Sequence, residues 1–305
     1  MPNSESKTTL FAVINPVAGS CDSEKIQSVL REHLGERLLG VHLTSKDDDF
    51  AEIVQKAVDL KADVVLAAGG DGTISQVATH LIGKTPSLLI MPAGTANLLA
   101  KSLQVPHDIH QVIKTLENGV ERSLDAIKVD EKYFFSHVSV GMYSKIAEQT
   151  VPEAKRRIGR FAYIWSGLKL LSDEKRWKFR LNMDGRSLKV KASTLMVANV
   201  GEMGAADIQW GPSVSPSDGT LDLCLIRSRS WKDYLKLAGE FFYYRDHSPS
   251  QSTHYQFQKQ LSVKSSTPLP VRGDGELIGE TPLTLSLSEK ALRVKVPNAE
   301  ARAQH

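Results

Sequence analysis

The chain has 305 residues, of which 41% are hydrophobic and 24% are charged, and its formal net charge is +3. This length accommodates two domains of roughly 150 residues, and the composition excludes collagen, coiled-coil and disordered classes. Only two cysteines are present, Cys21 and Cys224, which favours a reducing compartment over a disulfide framework. We expect both to act as small, buried or half-buried apolar side chains.

The first 127 residues alternate between strand and helix patterns. The predicted strands are Leu10–Asn15, Leu38–Leu43, Asp63–Ala68 and Ser87–Met91, and the predicted helices are Ser23–Leu34, Phe50–Leu60, Ile74–Ile82, Ala96–Ser102 and His107–Asn118. Unbroken apolar strands that alternate with helices predict a parallel sheet covered on both faces.

Beyond about Ser123 the pattern changes to short strands joined by turns, which predicts a mainly antiparallel β-sandwich. The predicted strands are Asp125–Val129, Lys132–Val140, Lys178–Asn182, Leu188–Val200, Leu221–Arg227, Gln256–Val263, Pro270–Arg272, Leu283–Leu287 and Leu292–Val296. Two helices, Ile158–Ser172 and Trp231–Tyr244, are predicted to interrupt this series.

No stretch approaches the ~18 apolar residues of a membrane span, and the polar residues Met1–Thr9 do not form a signal peptide. We therefore expect a cytoplasmic protein that meets a membrane only from one side. The segment Val151–Lys191 holds twelve Lys and Arg against four Asp and Glu. This basic block indicates an anionic partner, lipid headgroups or nucleic acid, with a solvated helix face as the alternative.

Three glycine-containing turns follow predicted strands, at the sheet edge where parallel sheets bind ligands. They are Asn15–Ser20, Gly69–Thr73 and Pro92–Asn97. Glycines allow a close approach of the backbone, and the N–H groups that begin a helix bind phosphate oxygens. Neither GxxxxGK[ST] nor a GxGxxG after the first strand is present, which argues against P-loop and dinucleotide sites.

Asp71 is unusual in this setting, because a carboxylate among phosphate-binding amides repels the ligand. Two explanations remain open: a divalent cation lies between Asp71 and the phosphates, or Asp71 caps the helix predicted to start at Ile74.

Together the motifs resemble the catalytic-domain family of diacylglycerol kinases, which includes bacterial soluble lipid kinases and the sphingosine and ceramide kinases. The matching elements are NPVAG at 15–19, GGDGT at 69–73, GTAN at 94–97, SDGTLDL at 217–223 and GDGE at 273–276. GRFAYIWSGLKLL at 159–171 also resembles a helix of the bacterial members. The resemblance covers essentially the whole chain in the family's order, although GGDGT alone is shared with NAD kinases.

The resemblance implies two domains of the NAD kinase and diacylglycerol kinase type, with the active site in the cleft between them. Residues 1–127, with a returning segment 289–305, are expected to form the α/β nucleotide-binding domain. Residues 128–288 are expected to form the β-sandwich that binds the lipid substrate. The implied reaction is the transfer of a phosphate from ATP, with Mg²⁺, to a lipid hydroxyl.

The family's site residues carry over by position. The residues expected to hold the nucleotide are Asn15, Pro16, Gly19, Thr44, Gly69, Gly70, Asp71, Gly72, Thr73, Gly94, Thr95 and Asn97. Mg²⁺ is expected at Ser215, Asp218 and Thr220, with a catalytic Mg²⁺ at Asp71. A carboxylate of the GDGE loop, Asp274 or Glu276, is expected to act as general base, and the family pattern favours Asp274.

Two positions depart from the family pattern: Gln76 replaces a common Glu, and Leu98 follows Asn97 where Asp is common. They put the catalytic rate in question and keep an inactive, lipid-binding regulatory member as one alternative. The other alternative is an NAD kinase or another small-molecule kinase of the same superfold.

The expected partner is a lipid presented by a membrane, with contact through Lys155, Arg156, Arg157 and Arg160, and we expect no binding of nucleic acid. The sequence leaves open the lipid, the preferred nucleotide and the oligomeric state, although some bacterial relatives form dimers.

Overall fold

In a computed structural model, residues 8–141, 176–203, 208–209, 214–227 and 252–298 are described. The chain divides into two units, one built from the described residues up to Ala126 and from Glu289 onward, the other from those between Ile127 and Ser288. The helices predicted at Ile158–Ser172 and Trp231–Tyr244 lie outside the described residues. No helix in the described ranges is long and apolar enough to cross a membrane.

The first unit is a parallel sheet with helices, as its alternating pattern predicts. Its strands are β1 (Leu10–Ile14), β2 (Leu38–Leu43), β3 (Val64–Gly69) and β4 (Ser87–Pro92), and its helices are α1 (Ser23–Leu34), α2 (Phe50–Asp59), α3 (Asp71–Leu81), α4 (Leu98–Ser102) and α5 (Ile109–Asn118). The strand order is β2-β1-β3-β4, all parallel. β1, β3 and β4 are buried along their whole length, which explains their unbroken apolar sequence.

Helix α1 shows how the local sequence sets these elements. The Asp22 carboxylate accepts the Lys25 N–H at 3.0 Å and caps the N-terminus. Four apolar side chains at helical spacing are buried on one side, namely Ile26, Val29, Leu30 and Leu34. Gly35, at φ 55°, then ends the helix in a conformation that favours glycine.

The second unit is a two-layer β-sandwich, which confirms the predicted fold class. Its strands are the end of β5 (Val120–Val129), β6 (Lys132–Phe134), β7 (His137–Gly141), β8 (Trp177–Met183), β9 (Arg186–Ala192), β10 (Thr194–Ala198), β11 (Glu202–Met203), β12 (Ile208–Gln209), β13 (Leu221–Ile226), β14 (Ser252–Phe257), β15 (Gln260–Ser265), β16 (Pro270–Gly273), β17 (Glu276–Glu280) and the start of β18 (Leu283–Val296). One layer has the order β14-β13-β10-β7-β16-β17, and the other contains β18-β15-β8-β9. Buried side chains from both layers form one core.

Three long strands predicted from the sequence are wrong. Each is two shorter strands, because the chain passes there from one sheet to the other. Residues 132–140 form β6 and β7, residues 188–200 contain β9 and β10, and residues 256–263 contain β14 and β15. Conversely, the two strands predicted within 283–296 form the single strand β18, and β17 was not predicted. The start of β18 pairs with β15 and its end pairs with β4.

Both cysteines are free, and Cys224 is buried. Burial raises the pKa of the Cys224 thiol to about 12 and also raises the pKa of the half-buried Cys21 thiol. Both therefore remain neutral thiols near neutral pH.

Candidate active site

The three glycine-containing turns of the first unit form one interlocked structure. The Asn15 side-chain amide donates to the Thr73 hydroxyl at 2.9 Å, which joins the first turn to the second. The Ser20 N–H donates to the Ala93 carbonyl at 3.0 Å, and the Ala93 N–H donates to the Gly69 carbonyl at 2.8 Å. Turns predicted separately from the sequence are therefore held together by direct hydrogen bonds. We call this structure the three-turn cradle.

The glycines of the cradle serve mainly to let the turns approach one another. A Cβ on Gly94 would lie 2.6 Å from the Gly70 Cα and 2.8 Å from the Asn97 side-chain oxygen. A Cβ on Gly69 would lie 2.7 Å from the Thr73 Cβ. Neither contact is sterically allowed, so a side chain at these positions displaces the turns. Gly72, in contrast, faces open space.

Helix α3 begins within the GGDGT motif, at Asp71 rather than at the predicted Ile74. Its N-cap is Gly70, which provides no side-chain hydrogen bond, whereas Asp22, Asp49 and Asp108 cap α1, α2 and α5. The N–H groups of the first turn of α3 therefore have no side-chain acceptor at the cap. Such a helix start carries a partial positive charge and binds anions.

Of the two explanations left open for Asp71, the one that makes it the cap of its own helix is wrong. Its carboxylate instead accepts the N–H groups of Asn97, at 2.8 Å, and Leu98, at 2.6 Å. These donors begin helix α4, so Asp71 caps a neighbouring helix and ties the second turn to the third. This contact accounts for a carboxylate in the cradle without a cation, and a bond to Mg²⁺ stays a prediction.

Asn97 completes the third turn. It is buried, and its backbone is left-handed with φ 51°, a conformation that Asn tolerates better than most residues. Its side chain accepts the Gly94 N–H and donates to the Gly94 carbonyl, both at 2.9 Å. Thr95, between them, is exposed. Asn97 therefore shapes the turn, and Thr95 is the residue that faces outward.

The remaining predicted nucleotide residues lie at the first turn and after β2. Pro16 and Thr44 are half-buried and Gly19 is exposed. The loop after Thr44 is held by Asp48, whose carboxylate accepts from the Ser45 hydroxyl at 2.7 Å and lies 2.6 Å from the His42 ring nitrogen. The hydrogen bond with His42 lowers the pKa of Asp48 to about 2. No sequence motif marks Asp48 as the anchor of this loop.

In the second unit, Asp274 lies in the tight turn between β16 and β17. Asp274 and Gly275 have φ values of 47° and 91°, a conformation that Asp-Gly pairs favour in hairpins. The Asp274 carboxylate accepts three backbone N–H groups, from Phe135 and Ser136 at 2.9 Å and from His137 at 3.1 Å. This clasp explains why the strand predicted over 132–140 breaks between β6 and β7.

Glu276, the other predicted base, differs from Asp274. Its side chain is exposed and makes no hydrogen bond or ion pair with any residue that the structure describes. The two carboxylates of this turn therefore differ: that of Asp274 accepts backbone N–H groups, and that of Glu276 is accessible to solvent.

The predicted Mg²⁺ residues share the turn that precedes β13. The Asp218 carboxylate accepts from the Thr220 N–H at 3.0 Å and from its hydroxyl at 2.8 Å, and the Ser215 hydroxyl lies 3.5 Å from that of Ser217. One carboxylate with neighbouring carbonyl and hydroxyl oxygens suits a hard cation such as Mg²⁺. Across the described residues, no group of three His, Cys, Asp or Glu side chains could hold a metal.

Asp222 belongs to the same motif and was not among the predicted site residues. It is buried, and it accepts from the Gln256 side chain at 3.1 Å. Burial first, and the charge of Asp218 second, raise the pKa of its carboxyl.

Comparisons with known proteins agree with this architecture. Residues 9–129 match the diacylglycerol kinase catalytic domain. Residues 136–296, more than half of the chain, match the YegS C-terminal NAD kinase beta sandwich-like domain. The chain belongs to the diacylglycerol kinase family. This confirms the resemblance found in the sequence motifs.

Family members resemble the chain along its length. A diacylglycerol kinase of Bacillus subtilis strain 168 is 24% identical over 301 residues, covering 95% of this chain and 96% of its own. An uncharacterized protein of Synechocystis is 27% identical over 300 residues, covering 93% of this chain and 69% of its own. A crystal structure of a diacylglycerol kinase from Bacillus anthracis strain Sterne is 22% identical, with a TM-score of 0.77 over 96% of this chain and 98% of its own. At this level of identity, the similarity to that structure concerns the fold alone.

Proposed function

We propose that this protein is an ATP- and Mg²⁺-dependent lipid kinase that phosphorylates a lipid hydroxyl, that of diacylglycerol, phosphatidylglycerol or a sphingoid-type lipid. Its family relatives support a phosphotransferase, and several of them are named diacylglycerol kinases. The observation that carries the proposal is the three-turn cradle around the uncapped start of α3, because it presents backbone donors suited to phosphates.

The cradle is the proposed nucleotide site. Phosphoryl transfer depends mainly on positioning and electrostatic stabilisation, and backbone N–H groups that are already fixed provide both. The interlocking bonds of Asn15 with Thr73 and of Asp71 with Asn97 fix the turns before a ligand binds. The first turn of α3 and the exposed Thr95 are the groups that face the triphosphate in this proposal.

Mg²⁺ is proposed at the Asp218 turn, with Ser215 and Thr220 as further oxygen ligands, and at Asp71 beside the phosphates. When bound, the ion supplies positive charge that offsets the negative charge of phosphate oxygens. The chain's own contribution at the Asp218 turn is a carboxylate already oriented by Thr220.

The proposed general base lies in the turn that contains Asp274 and Glu276. A base within hydrogen-bond reach of the acceptor hydroxyl contributes about 10²–10⁴-fold to the rate. The Asp274 carboxylate fixes the turn through three N–H groups, while Glu276 is accessible to an acceptor. We propose that the two act as a pair. One carboxylate accepts the proton of the lipid hydroxyl, and the other helps to orient the groups involved.

The two departures from the family pattern have different surroundings. Leu98 is buried, and its N–H is bound by Asp71, so its side chain serves packing. Gln76 is half-buried on α3, where it provides hydrogen-bonding groups without a charge. Neither change removes a contact that holds the cradle together, and this supports an active enzyme over an inactive regulatory member.

A panel assay tests the proposal. The protein is incubated with Mg²⁺ and γ-labelled ATP in the presence of diacylglycerol, phosphatidylglycerol, a sphingoid base, ceramide or NAD. We expect label in one of the lipids and none without Mg²⁺. Label only in NAD would contradict the lipid acceptor, and no transfer to any acceptor would indicate the inactive member.

A further inference from the structure

The outer surface of strands β8, β9 and β15 carries a cluster of basic side chains. Exposed and buried residues alternate along these strands, and the buried ones, such as Phe179, Val190 and Val263, join the core of the second unit. The charged residues on the outer surface are all basic and all exposed: Lys178, Arg180, Lys189, Lys191 and Lys264. We call these five residues the basic sheet face.

The register places these cations opposite one another. Lys178 pairs with Lys191, and Arg180 pairs with Lys189 on one side and with Lys264 on the other. At ordinary strand spacings the five Cα atoms lie within roughly 10 Å across the strands and 7 Å along them. This is about one Debye length at physiological salt, so their repulsion is only partly screened.

None of the five residues forms an ion pair with a residue in the described ranges, so no direct pairing there offsets the repulsion. The other outward positions of these strands are uncharged: Asn182, Ser187, Gln260 and Ser262. Acidic residues begin beyond Lys264, where Asp130 and Glu280 join it around a cavity of about 580 Å³.

Stability does not explain such a face, because like charges directly opposite each other in a sheet are destabilising. Protection of a sheet edge accounts for part of it, since β9 is the last strand of its layer and lysines on edge strands discourage aggregation. It does not account for Lys178, Arg180 and Lys264, which lie on the inner strands β8 and β15.

We propose that the basic sheet face docks the protein on an anionic lipid membrane. The identification of the partner as a membrane rests on the proposed lipid substrate. The charge supports it, because Lys and Arg clusters bind anionic headgroups additively. Single-stranded nucleic acid is disfavoured, because the face has no aromatic side chain on which bases could stack.

Vesicle co-sedimentation tests the docking. The wild-type protein is mixed with phosphatidylcholine vesicles that contain or lack phosphatidylglycerol, at low and at raised salt. A variant with Lys178→Gln, Arg180→Gln and Lys189→Gln removes three charges. Its control, Lys25→Gln, Lys56→Gln and Lys114→Gln, removes three exposed charges from helices of the first unit.

We expect the wild-type protein and the control to bind only the anionic vesicles and to be released by salt. The sheet-face variant should bind them on the order of 100-fold more weakly. Equal binding by the variant, or equal binding to both kinds of vesicle, would overturn the docking. Binding of an oligonucleotide without binding of vesicles would also overturn it.

A parallel assay separates this inference from the proposed function. Kinase activity is measured on a short-chain diacylglycerol that is soluble without vesicles. We expect the sheet-face variant to retain this activity. Activity on the soluble lipid without vesicle binding refutes the docking alone, whereas vesicle binding without any lipid phosphorylation refutes the proposed function alone.

Discussion

Asp71 in the first unit and Asp274 in the second make the same kind of contact with the backbone. Each was predicted as part of the chemistry, and each carboxylate accepts backbone N–H groups of another segment. Asp71 binds residues 26 and 27 positions away, whereas Asp274 binds residues 137 to 139 positions away. Asp71 links turns that parallel-strand order already brings together, while Asp274 itself fixes where a distant strand ends.

The difference shows why a charged residue in a motif does not by itself identify a catalytic group. A carboxylate that binds two or three N–H groups stabilises the backbone around a site, and its loss changes the site even when it does no chemistry. Measurements that separate stability from turnover therefore sharpen the comparison.

The largest effect should come from the turn between β16 and β17. We expect Glu276→Gln and Asp274→Asn each to lower kcat by about 10²–10⁴-fold. Only Asp274→Asn should also lower stability, by about 1–3 kcal/mol, because an amide cannot accept all three N–H groups. Steady-state kinetics and thermal unfolding check this, and near-parental rates in both variants would place the base elsewhere.

The next effect concerns the close contact between the second and third turns. We expect Gly94→Ala to weaken ATP binding at least about tenfold, because its Cβ would meet the Gly70 backbone. Calorimetric titration with ATP compares the variant with the wild type, and an unchanged affinity would contradict the packing role of Gly94.

The third effect concerns the contact of Asp71 with helix α4. We expect Asp71→Asn to lower the free energy of unfolding by about 1–3 kcal/mol, because the Asn amide has a single, uncharged acceptor oxygen and one of the two backbone donors loses its acceptor. If the carboxylate also serves Mg²⁺, the variant needs more Mg²⁺ for full activity. Denaturant unfolding and a Mg²⁺ titration of activity separate the two roles, and an unchanged Mg²⁺ requirement would leave Asp71 a cap alone.

The smallest effect near neutral pH concerns the loop after β2. Because the folded pKa of Asp48 is depressed from 3.8 to about 2, its stabilising contribution is present above about pH 4 and is lost as the pH falls through 2. We expect the Ser45 amide resonance to titrate near pH 2. The Asp48→Asn variant should lack this titration, and a midpoint near 3.8 in the wild type would contradict the His42 bond.

The first unit was predictable because its strands and helices follow in simple order. The limits of α1 and β2 were predicted to the residue, and the three turns meet at one sheet edge because their strands are parallel neighbours. The start of α3 was missed because Gly70 and Gly72 disfavour a helix in isolation, and only the folded turn places Asp71 opposite α4.

The second unit was less predictable because its strand ends depend on distant residues. The Asp184 carboxylate accepts the N–H groups of Gln258, Lys259 and Gln260 at 2.8 to 3.0 Å and fixes the turn between β14 and β15. No local pattern at 256–263 indicates that turn. The hydrogen bonds of Asp274 with residues 135–137 are equally impossible to predict from neighbouring residues, because they join positions 137 to 139 residues apart.

The central claim is that the three-turn cradle holds the nucleotide while the turn of Asp274 and Glu276 supplies the base. One paired measurement tests it most directly: ATP affinity and single-turnover transfer to diacylglycerol, for the wild type, Gly94→Ala and Glu276→Gln. We predict that Gly94→Ala loses ATP affinity and that Glu276→Gln binds ATP normally but transfers its phosphate slowly. Normal ATP binding by Gly94→Ala together with weakened binding by Glu276→Gln would contradict the claim.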